Sequence, residues 1–324
     1  MDDAKPRHLG GSLPVPNVQD LAARRDELTL TPTLLDRYVR PQPNTVDLRP
    51  DAPAGEEQEQ VPIVDLGRLL DLAGGGEEEA ARLRSACEKW GFFQVVNHGI
   101  PEETVEEMKR NVMGFFALPL AEKAALAQEP GEIEGNCLAN YSVEVQRVAG
   151  ELLRAMAENL GVRDHSDMTR LAASQAVRMN YYPPCPEAHV DRVLGLSPHS
   201  DAVALTLLLQ VCPVPGLQIN RNAGWVPVMP LPSALVVNVG DVVEVLTNGK
   251  YKSVEHRAVD NAREHRMSIT AFHSAKFGGT YGPLEEVVGD EEARYRTINV
   301  NEYTKLMLSG KLDGKNIIDA MKIN

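Results

Sequence analysis

Residues 197–210 read SPHSDAVALTLLLQ, in which a polar tripeptide, His-Ser-Asp, runs directly into an apolar segment. The apolar segment is typical of a buried strand, and alternate residues of a strand point to the same side. His199 and Asp201 are therefore expected to face inward together, where both could bind one metal ion. The same tripeptide occurs at 165–167, after the end of a helix, and there it is expected to cap a new helical turn.

A third metal ligand is expected on another strand, because two ligands do not make a useful catalytic site. His256 in the segment SVEHRAV, 55 residues after Asp201, meets this requirement. It is expected in the second arm of a hairpin that turns at Asn248-Gly249. Two imidazoles and one carboxylate form the facial triad that binds non-haem Fe(II) and leaves coordination positions open. Zinc accepts the same three ligands, so the triad alone does not decide between the metals.

A second cluster of polar residues predicts an anion site in the same β region. Arg266 and Ser268 are two residues apart in RMSITAFH, so both face one side of a strand, and Phe272 continues that face. An inward guanidinium needs an anion, and Arg binds a carboxylate through parallel charge-assisted hydrogen bonds. The upstream segment RMNYYPPC places three side chains on a common face by the same spacing: Arg178, Asn180 and Tyr182.

The second half of the chain is predicted to be a β fold. From about residue 175 the sequence shows short strands separated by turns: QAVRMNYYPP, LTLLLQ, GLQINRN, WVPVMPL, ALVVNVG, VVEVLT, KYKSVEHRAV and RMSITAFH. Gly224 supplies a further hairpin turn. Many short strands at close spacing favour a closed or double-sheet architecture.

The flanking segments are predicted to be mainly helical, which gives an α+β chain. Helices are expected in GEEEAARLRSACEKWG, PEETVEEMKRNVMGFFAL and YSVEVQRVAGELLRAMAENLG, and short strands in VPIVDL and GFFQVVNHGI. NEYTKLMLSGKL and NIIDAMKIN are helical again near the end. The predicted organisation is a mainly helical region at 1–170, a β core at 171–285 and a helical segment at 286–324.

Composition limits the classes of partner. The formal net charge of −13 argues against nucleic acid, whose binding depends on clustered Lys and Arg. No apolar run approaches the length of a membrane span, and the start MDDAKPRHLGG lacks the basic and apolar regions of a signal peptide. We therefore expect a cytoplasmic, monomeric protein with no nucleic-acid or membrane partner.

Together these motifs resemble the plant 2-oxoglutarate- and Fe(II)-dependent dioxygenases of the isopenicillin N synthase-like, senescence-related group. The similarity covers most of residues 55–324 and rests on GFFQVVNHGI, RMNYYPPC, His199-Ser200-Asp201, NVGDVVEVLTNGKYKSVEHRAV, RMSITAFHS and KLDGKNIID. The resemblance implies a double-stranded β-helix (jelly-roll) core flanked by helices, with His199, Asp201 and His256 on iron. It also implies that the distal carboxylate of 2-oxoglutarate is bound by Arg266 and Ser268, assisted by Tyr182 and Asn180.

The activity implied by the resemblance is an oxygenase reaction that consumes dioxygen and 2-oxoglutarate and releases succinate and CO2. The expected substrate is a small aromatic specialised metabolite or hormone-like molecule, with an indoleamine such as melatonin among the cases. It is expected to be hydroxylated or O-demethylated in a pocket that includes Arg178 and Phe272. Ascorbate is expected to keep the iron reduced.

One interval departs from the family pattern. Relatives carry several tens of residues between the helix ending near Leu126 and the helix beginning at Tyr141, whereas this chain has only AQEPGEIEGNCLAN. We therefore expect an internal deletion near residues 136–140, which truncates the N-terminal region. Three alternatives follow: a non-catalytic protein that binds 2-oxoglutarate or a small ligand, a zinc hydrolase with the same triad, and an iron oxidase that uses ascorbate instead of 2-oxoglutarate.

Overall fold

A computed structural model of the chain describes residues 60–71, 74, 76–125, 136–185, 190, 192–222, 224–309 and 316–323. Most of the shortened interval, residues 127–135, lies outside the described residues, and residues 136–140 form the beginning of a helix. The deletion therefore stays a prediction. Among the described residues, no helix combines the length and apolar character that crossing a bilayer requires.

The first part of the chain is mainly helical, as predicted, with two short strands. Its elements are β1 (Ile63–Asp65), α1 (Leu66–Leu69), α2 (Gly76–Lys89), β2 (Phe92–Val96), α3 (Glu102–Ala117), α4 (Leu120–Ala125), α5 (Asn136–Asn159), α6 (Ser166–Thr169) and a 3-10 turn (Arg170–Ala172).

The second part contains most of the strands and ends in short helices. Its elements are β3 (Ser174–Tyr182), β4 (Leu194–His199), β5 (Leu205–Gln210), β6 (Leu217–Arg221), β7 (Gly224–Pro227), β8 (Leu235–Val239), α7 (Asp241–Leu246), β9 (His256–Val259), β10 (Arg266–Ser274), β11 (Thr280–Tyr281), α8 (Glu285–Val288), β12 (Ile298–Asn299), α9 (Val300–Ser309) and α10 (Asn316–Asp319).

Two main sheets form the β core. A six-stranded sheet has the order β1-β2-β8-β5-β10-β3, and a four-stranded antiparallel sheet has the order β4-β9-β6-β7. The pairing of β1 with β2 is parallel, whereas the other pairings in the larger sheet are antiparallel. This arrangement confirms the predicted α+β fold with a double-sheet core. The larger sheet takes β1 and β2 from the region that we expected to be a separate helical segment.

Helix α5 covers one face of the larger sheet. The residues predicted as its apolar stripe include Val145, Val148, Leu152 and Met156, and all four are completely buried. They lie three or four positions apart, so they share one face of the helix, and that face contacts β3, β5 and β10. Full burial of such a side chain contributes about 1.5–3 kcal/mol, which makes this contact a major part of the core.

The predicted strand VVEVLT is wrong, because Asp241–Leu246 form helix α7. All six residues of α7 are buried, so the segment is apolar on every side and its pattern carries no helical period. Asn248 and Gly249 have positive φ values of 51° and 77°, and the Gly249 amide donates to the Glu244 carbonyl at 2.8 Å. They therefore end a helix rather than turn a hairpin.

The strands around the metal motif also differ from the prediction. His199 is the last residue of β4, a strand that the sequence analysis missed, and Asp201 lies in the loop before β5. The two residues therefore do not share a strand. His256 begins β9 and pairs with β4 and β6, so it is not in a hairpin arm turning at Asn248-Gly249. The hairpin near Gly224 is present, between β6 and β7.

Candidate functional site

Three side chains converge between the two sheets. His199 and His256 occupy opposite positions on paired strands, and their ring centroids are 4.4 Å apart. The loop after β4 then brings Oδ1 of Asp201 to 3.5 Å from Nε2 of His199 and 3.7 Å from Nε2 of His256. The three potential ligand atoms all lie within 4.8 Å of one another, and all three residues are buried. One cation could therefore contact all three.

Hydrogen bonds to the backbone orient both imidazole rings. Nδ1 of His199 lies 2.7 Å from the Ser197 carbonyl oxygen, and Nδ1 of His256 lies 3.2 Å from that of Val254. Because a carbonyl oxygen only accepts hydrogen bonds, each Nδ1 carries the proton. The lone pair of Nε2 in each neutral ring then faces the shared space, as in metal-binding histidines.

The carboxylate of Asp201 is held in one orientation by two neighbours. Its Oδ2 accepts hydrogen bonds from Oγ1 of Thr206 at 2.6 Å and from Nδ2 of Asn238 at 2.8 Å. This leaves Oδ1 directed toward the two Nε2 atoms. Thr206 and Asn238 were missed by the sequence analysis, although each is a polar residue within an apolar strand.

The charge states fit a divalent metal. Burial by itself would raise the pKa of Asp201, but His256, His199 and the hydrogen bond from Asn238 hold that pKa well below its ordinary value. Burial lowers the pKa of His256. Burial also opposes protonation of His199, but its hydrogen bond with Asp201 outweighs this and raises the pKa of that ring. An ionised carboxylate beside two imidazoles is a ligand set suited to Fe(II) or Zn²⁺.

The three residues lie in a cavity of about 360 Å³. Alternate residues of β3 and β10 form one wall, as the period of two predicts, and these strands pair so that Arg266 lies opposite Tyr182 and Ser268 opposite Asn180. The wall therefore contains all six of the remaining predicted site residues: Arg178, Asn180, Tyr182, Arg266, Ser268 and Phe272.

Arg266 is a buried cation at one end of this wall, with only 3% of its surface exposed. Nη2 donates to Oε1 of Gln210 at 2.9 Å, and the guanidinium carbon lies 5.3 Å from the ring centroid of Tyr182. Nε has no hydrogen-bond partner among the described residues. A buried guanidinium with an unsatisfied donor is costly unless an anion binds there. Glu255, the acid considered from the sequence, instead accepts a hydrogen bond from Asn220 at 2.7 Å.

The surroundings of Arg266 include features that the sequence analysis did not single out. Gly216 allows its close approach, because a Cβ there would lie 2.7 Å from Cδ of Arg266. Asp260 is a nearby acid, and burial raises its pKa to about 6 in spite of the guanidinium. Near neutral pH this carboxyl therefore neutralises Arg266 only in part, which preserves the capacity of Arg266 to bind an added anion.

The other end of the wall is more apolar and more exposed. The Arg178 guanidinium carbon lies 5.8 Å from the ring centroid of Phe272. Three apolar side chains from α9 and α10 line the cavity: Met307, Leu308 and Ile317. Leu308 is 65% exposed, so this end lies near the surface. A small apolar molecule could enter here and approach the His-Asp-His cluster.

The second His-Ser-Asp copy has the predicted structural role. Residues Ser166–Thr169 form the short helix α6, and Oδ1 of Asp164 accepts a hydrogen bond from the Ser166 amide at 2.9 Å. His98, which we expected to hold a turn, accepts the Ile100 amide at Nδ1 and contacts the Ser233 carbonyl through Nε2. Neither histidine belongs to the metal cluster.

Comparison with known proteins gives consistent matches. Residues 173–275 match the 2OG-Fe(II) oxygenase superfamily, and residues 61–184 match the N-terminal region of non-haem dioxygenases in morphine synthesis. Protein SRG1 of Arabidopsis thaliana is 36% identical over 368 aligned positions, covering 99% of this chain and all of that protein. Flavonoid 7-O-demethylase 1 of Ocimum basilicum is 37% identical, covering 99% of this chain and 95% of that protein.

Solved structures show the same fold. The crystal structure of JOX2 in complex with 2OG, Fe and JA superposes with a TM-score of 0.78 at 28% identity, covering 96% of this chain and 99% of the other. The rice dioxygenase for auxin oxidation gives a TM-score of 0.72 at 28% identity, with 82% and 100% covered. The alignment with SRG1 spans 368 positions against 324 residues here, so at least 44 of its positions have no counterpart in this chain.

Proposed function

The chain belongs to the 2-oxoglutarate- and Fe(II)-dependent oxygenase superfamily, and we propose that it binds iron through Nε2 of His199, Nε2 of His256 and Oδ1 of Asp201. The observation that supports this assignment is the convergence of these three atoms within 4.8 Å, each oriented by a neighbouring hydrogen bond. Fe(II) bound there supplies the activation of dioxygen that is coupled to oxidation of 2-oxoglutarate. A facial triad leaves coordination positions for both of these molecules.

Arg266 binds the distal carboxylate of 2-oxoglutarate. Its planar guanidinium can donate two parallel hydrogen bonds to a carboxylate, and its Nε atom needs a partner. Ser268 adds a hydroxyl donor from the same face of β10, and the Tyr182 ring supports the guanidinium from β3. Asn180 donates to Thr270 at 3.2 Å and lies 3.5 Å from the Ser268 hydroxyl, so it holds that side of the site.

The substrate is a small, mainly apolar aromatic molecule that enters at the opposite end of the cavity. Phe272 offers an aromatic surface, Leu196 and Ile317 offer apolar ones, and Arg178 offers a polar contact. The reaction is hydroxylation or O-demethylation, and melatonin is one molecule of suitable size and chemistry. Relatives named as O-demethylases of flavonoids, thebaine and codeine support the demethylation reaction.

The chain contributes positioning and exclusion of water. The buried Asp201 carboxylate stays ionised and fixed, and the two imidazoles keep Nε2 directed at the metal position. At the outer end, Met307 and Leu308 shield the cavity once a substrate fills it. Ascorbate as the reductant, a monomeric state, a cytoplasmic location and the three-segment organisation remain predictions from the sequence.

A non-catalytic ligand-binding role is the second candidate. The observation that favours it is the set of at least 44 aligned SRG1 positions with no counterpart here. The metal and co-substrate residues are all present, so such a protein would still bind iron and 2-oxoglutarate. It would lack part of the pocket wall needed to hold a substrate productively.

Coupled product analysis separates the two roles. Protein loaded with Fe(II) is supplied with 2-oxoglutarate, ascorbate and a panel of flavonoid and alkaloid O-methyl ethers and indoleamines. Each O-demethylation of a methyl ether should yield one formaldehyde, one succinate and one CO2 for each O2 consumed, and His199→Ala should abolish all three products. Binding of 2-oxoglutarate with no product from any compound would support the non-catalytic role. Turnover without 2-oxoglutarate would contradict the proposed reaction.

A further inference from the structure

A buried acid outside the ligand set lies beside all three ligand-bearing positions. Asp241 is the first residue of α7 and is 1% exposed. Its Oδ2 accepts a hydrogen bond at 3.2 Å from the hydroxyl of Ser200, the residue between His199 and Asp201. Its backbone amide donates to the carbonyl oxygen of Asp201 at 2.8 Å. This acid therefore contacts the first ligand loop through both its side chain and its backbone.

The same carboxylate also holds the segment that leads to His256. Oδ1 of Asp241 accepts a hydrogen bond from the Ser253 hydroxyl at 2.6 Å. The residue after Ser253 is Val254, whose carbonyl oxygen lies 3.2 Å from Nδ1 of His256. The two oxygens of one carboxylate thus bind two segments that are more than 50 residues apart in the chain.

Gly240 permits this close packing. A Cβ at Gly240 would lie 2.2 Å from the carbonyl oxygen of Val203 and 3.0 Å from that of Asp201. Both are backbone atoms, so neither could move aside without displacing the loop. The start of α7 is therefore packed against the ligand loop too closely for any side chain at this position.

From these contacts we infer that Asp241 is a positioning residue that holds the His199–Asp201 loop and the segment before His256 in the arrangement needed to bind metal. The inference rests on the proposed function. Asp241 does not touch the metal itself; it acts through the hydroxyls of Ser200 and Ser253. Groups that orient metal ligands from behind typically change metal affinity about 10- to 100-fold when they are removed.

The test measures Co(II) binding, which reports on the ligand geometry without any turnover. The variants are Ser200→Ala, Ser253→Ala and Asp241→Ala, with the dissociation constant and the ligand-field absorption of bound Co(II) as readouts. Each serine variant is expected to weaken Co(II) binding about 10-fold, and Asp241→Ala about 100-fold. In the Asp241→Ala background, Ser253→Ala should have no further effect, because its partner is already absent.

The matched control is Tyr295→Phe. Its hydroxyl donates to Oε1 of Glu244 at 2.7 Å, on the same helix α7, and both residues are buried. This variant also removes a buried hydrogen bond to a carboxylate, but it leaves the contacts of Asp241 intact. Its melting temperature should fall as in the serine variants, whereas its Co(II) affinity and absorption should match those of the unaltered protein.

Three results would overturn the inference. One is an Asp241→Ala protein whose Co(II) affinity equals that of Tyr295→Phe. Another is a full effect of Ser253→Ala in the Asp241→Ala background. If Asp241→Ala does not fold, unchanged Co(II) affinity in the variant lacking both serine hydroxyls decides against it. Absence of Co(II) binding by the unaltered protein would overturn the proposed metal centre and this inference together, whereas the other results leave the metal centre standing.

Discussion

Replacing Arg266 with alanine tests the proposed co-substrate site. The side chain is buried, it donates to Gln210 at 2.9 Å, and its Nε atom has no hydrogen-bond partner among the described residues. In the proposed complex it donates two hydrogen bonds to the distal carboxylate of 2-oxoglutarate. The metal ligands lie elsewhere in the cavity, so iron binding should be spared.

The magnitude follows from the hydrogen bonds that are lost. A hydrogen bond that involves a charged group contributes about 1.5–3 kcal/mol, so two of them contribute at least about 3 kcal/mol. This corresponds to about a 150-fold weaker dissociation constant for 2-oxoglutarate in Arg266→Ala. Arg266→Lys keeps the charge but not the planar pair of donors, and it should recover only part of the loss.

The assay is an anaerobic titration of 2-oxoglutarate into Fe(II)-loaded protein, followed by the visible charge-transfer absorption of the chelated iron. Arg178→Ala is the control, because it removes a guanidinium from the same wall about 13 Å along β3 from Tyr182. Its affinity for 2-oxoglutarate should be unchanged. An Arg266→Ala protein that binds 2-oxoglutarate normally, or one that loses its iron, would refute the assigned role.

Three further predictions concern metal affinity and stability. Asn238→Ala removes one of the two hydrogen bonds that orient Asp201, and should weaken Co(II) binding about 10-fold or more in a direct titration. Gly240→Ala forces a Cβ against the carbonyl oxygen of Val203 and should lower the free energy of unfolding by about 1–3 kcal/mol in urea denaturation. Burial lowers the pKa of His273 to about 4, so the unfolded chain takes up a proton below about pH 6.5 and the folded chain does not. Stability from this residue is therefore complete above pH 6.5 and lost as pH falls toward 4, by about 2 kcal/mol at pH 5, and His273→Gln should remove that part of the urea-measured pH dependence.

The sequence predicted the polar faces of β3 and β10 because a strand repeats every two residues. That period placed Arg266 with Ser268 and Arg178 with Tyr182, and all four line the cavity. The flanking helices were similarly predictable, since each carries a stripe of apolar residues. Local periodicity was sufficient wherever one side of an element faces the core and the other does not.

Local periodicity failed where an element is buried on all sides. Helix α7 has no polar face, so its run of valines resembles a buried strand, and Asn248-Gly249 fits a helix end as well as a hairpin. The metal cluster was predicted from residue types, but for a partly wrong reason, since His199 and Asp201 lie on a strand end and a loop. The contacts of Asp241 with Ser200 and Ser253 join distant segments, so only the tertiary structure reveals them.

The most direct test of the metal centre is an anomalous-scattering map at the iron absorption edge. Crystals would be grown anaerobically with Fe(II) and 2-oxoglutarate. We expect one iron peak bonded to Nε2 of His199, Nε2 of His256 and Oδ1 of Asp201, with the free carboxylate of 2-oxoglutarate on Arg266. Iron bound at other residues, or no iron between these three side chains, would contradict the account.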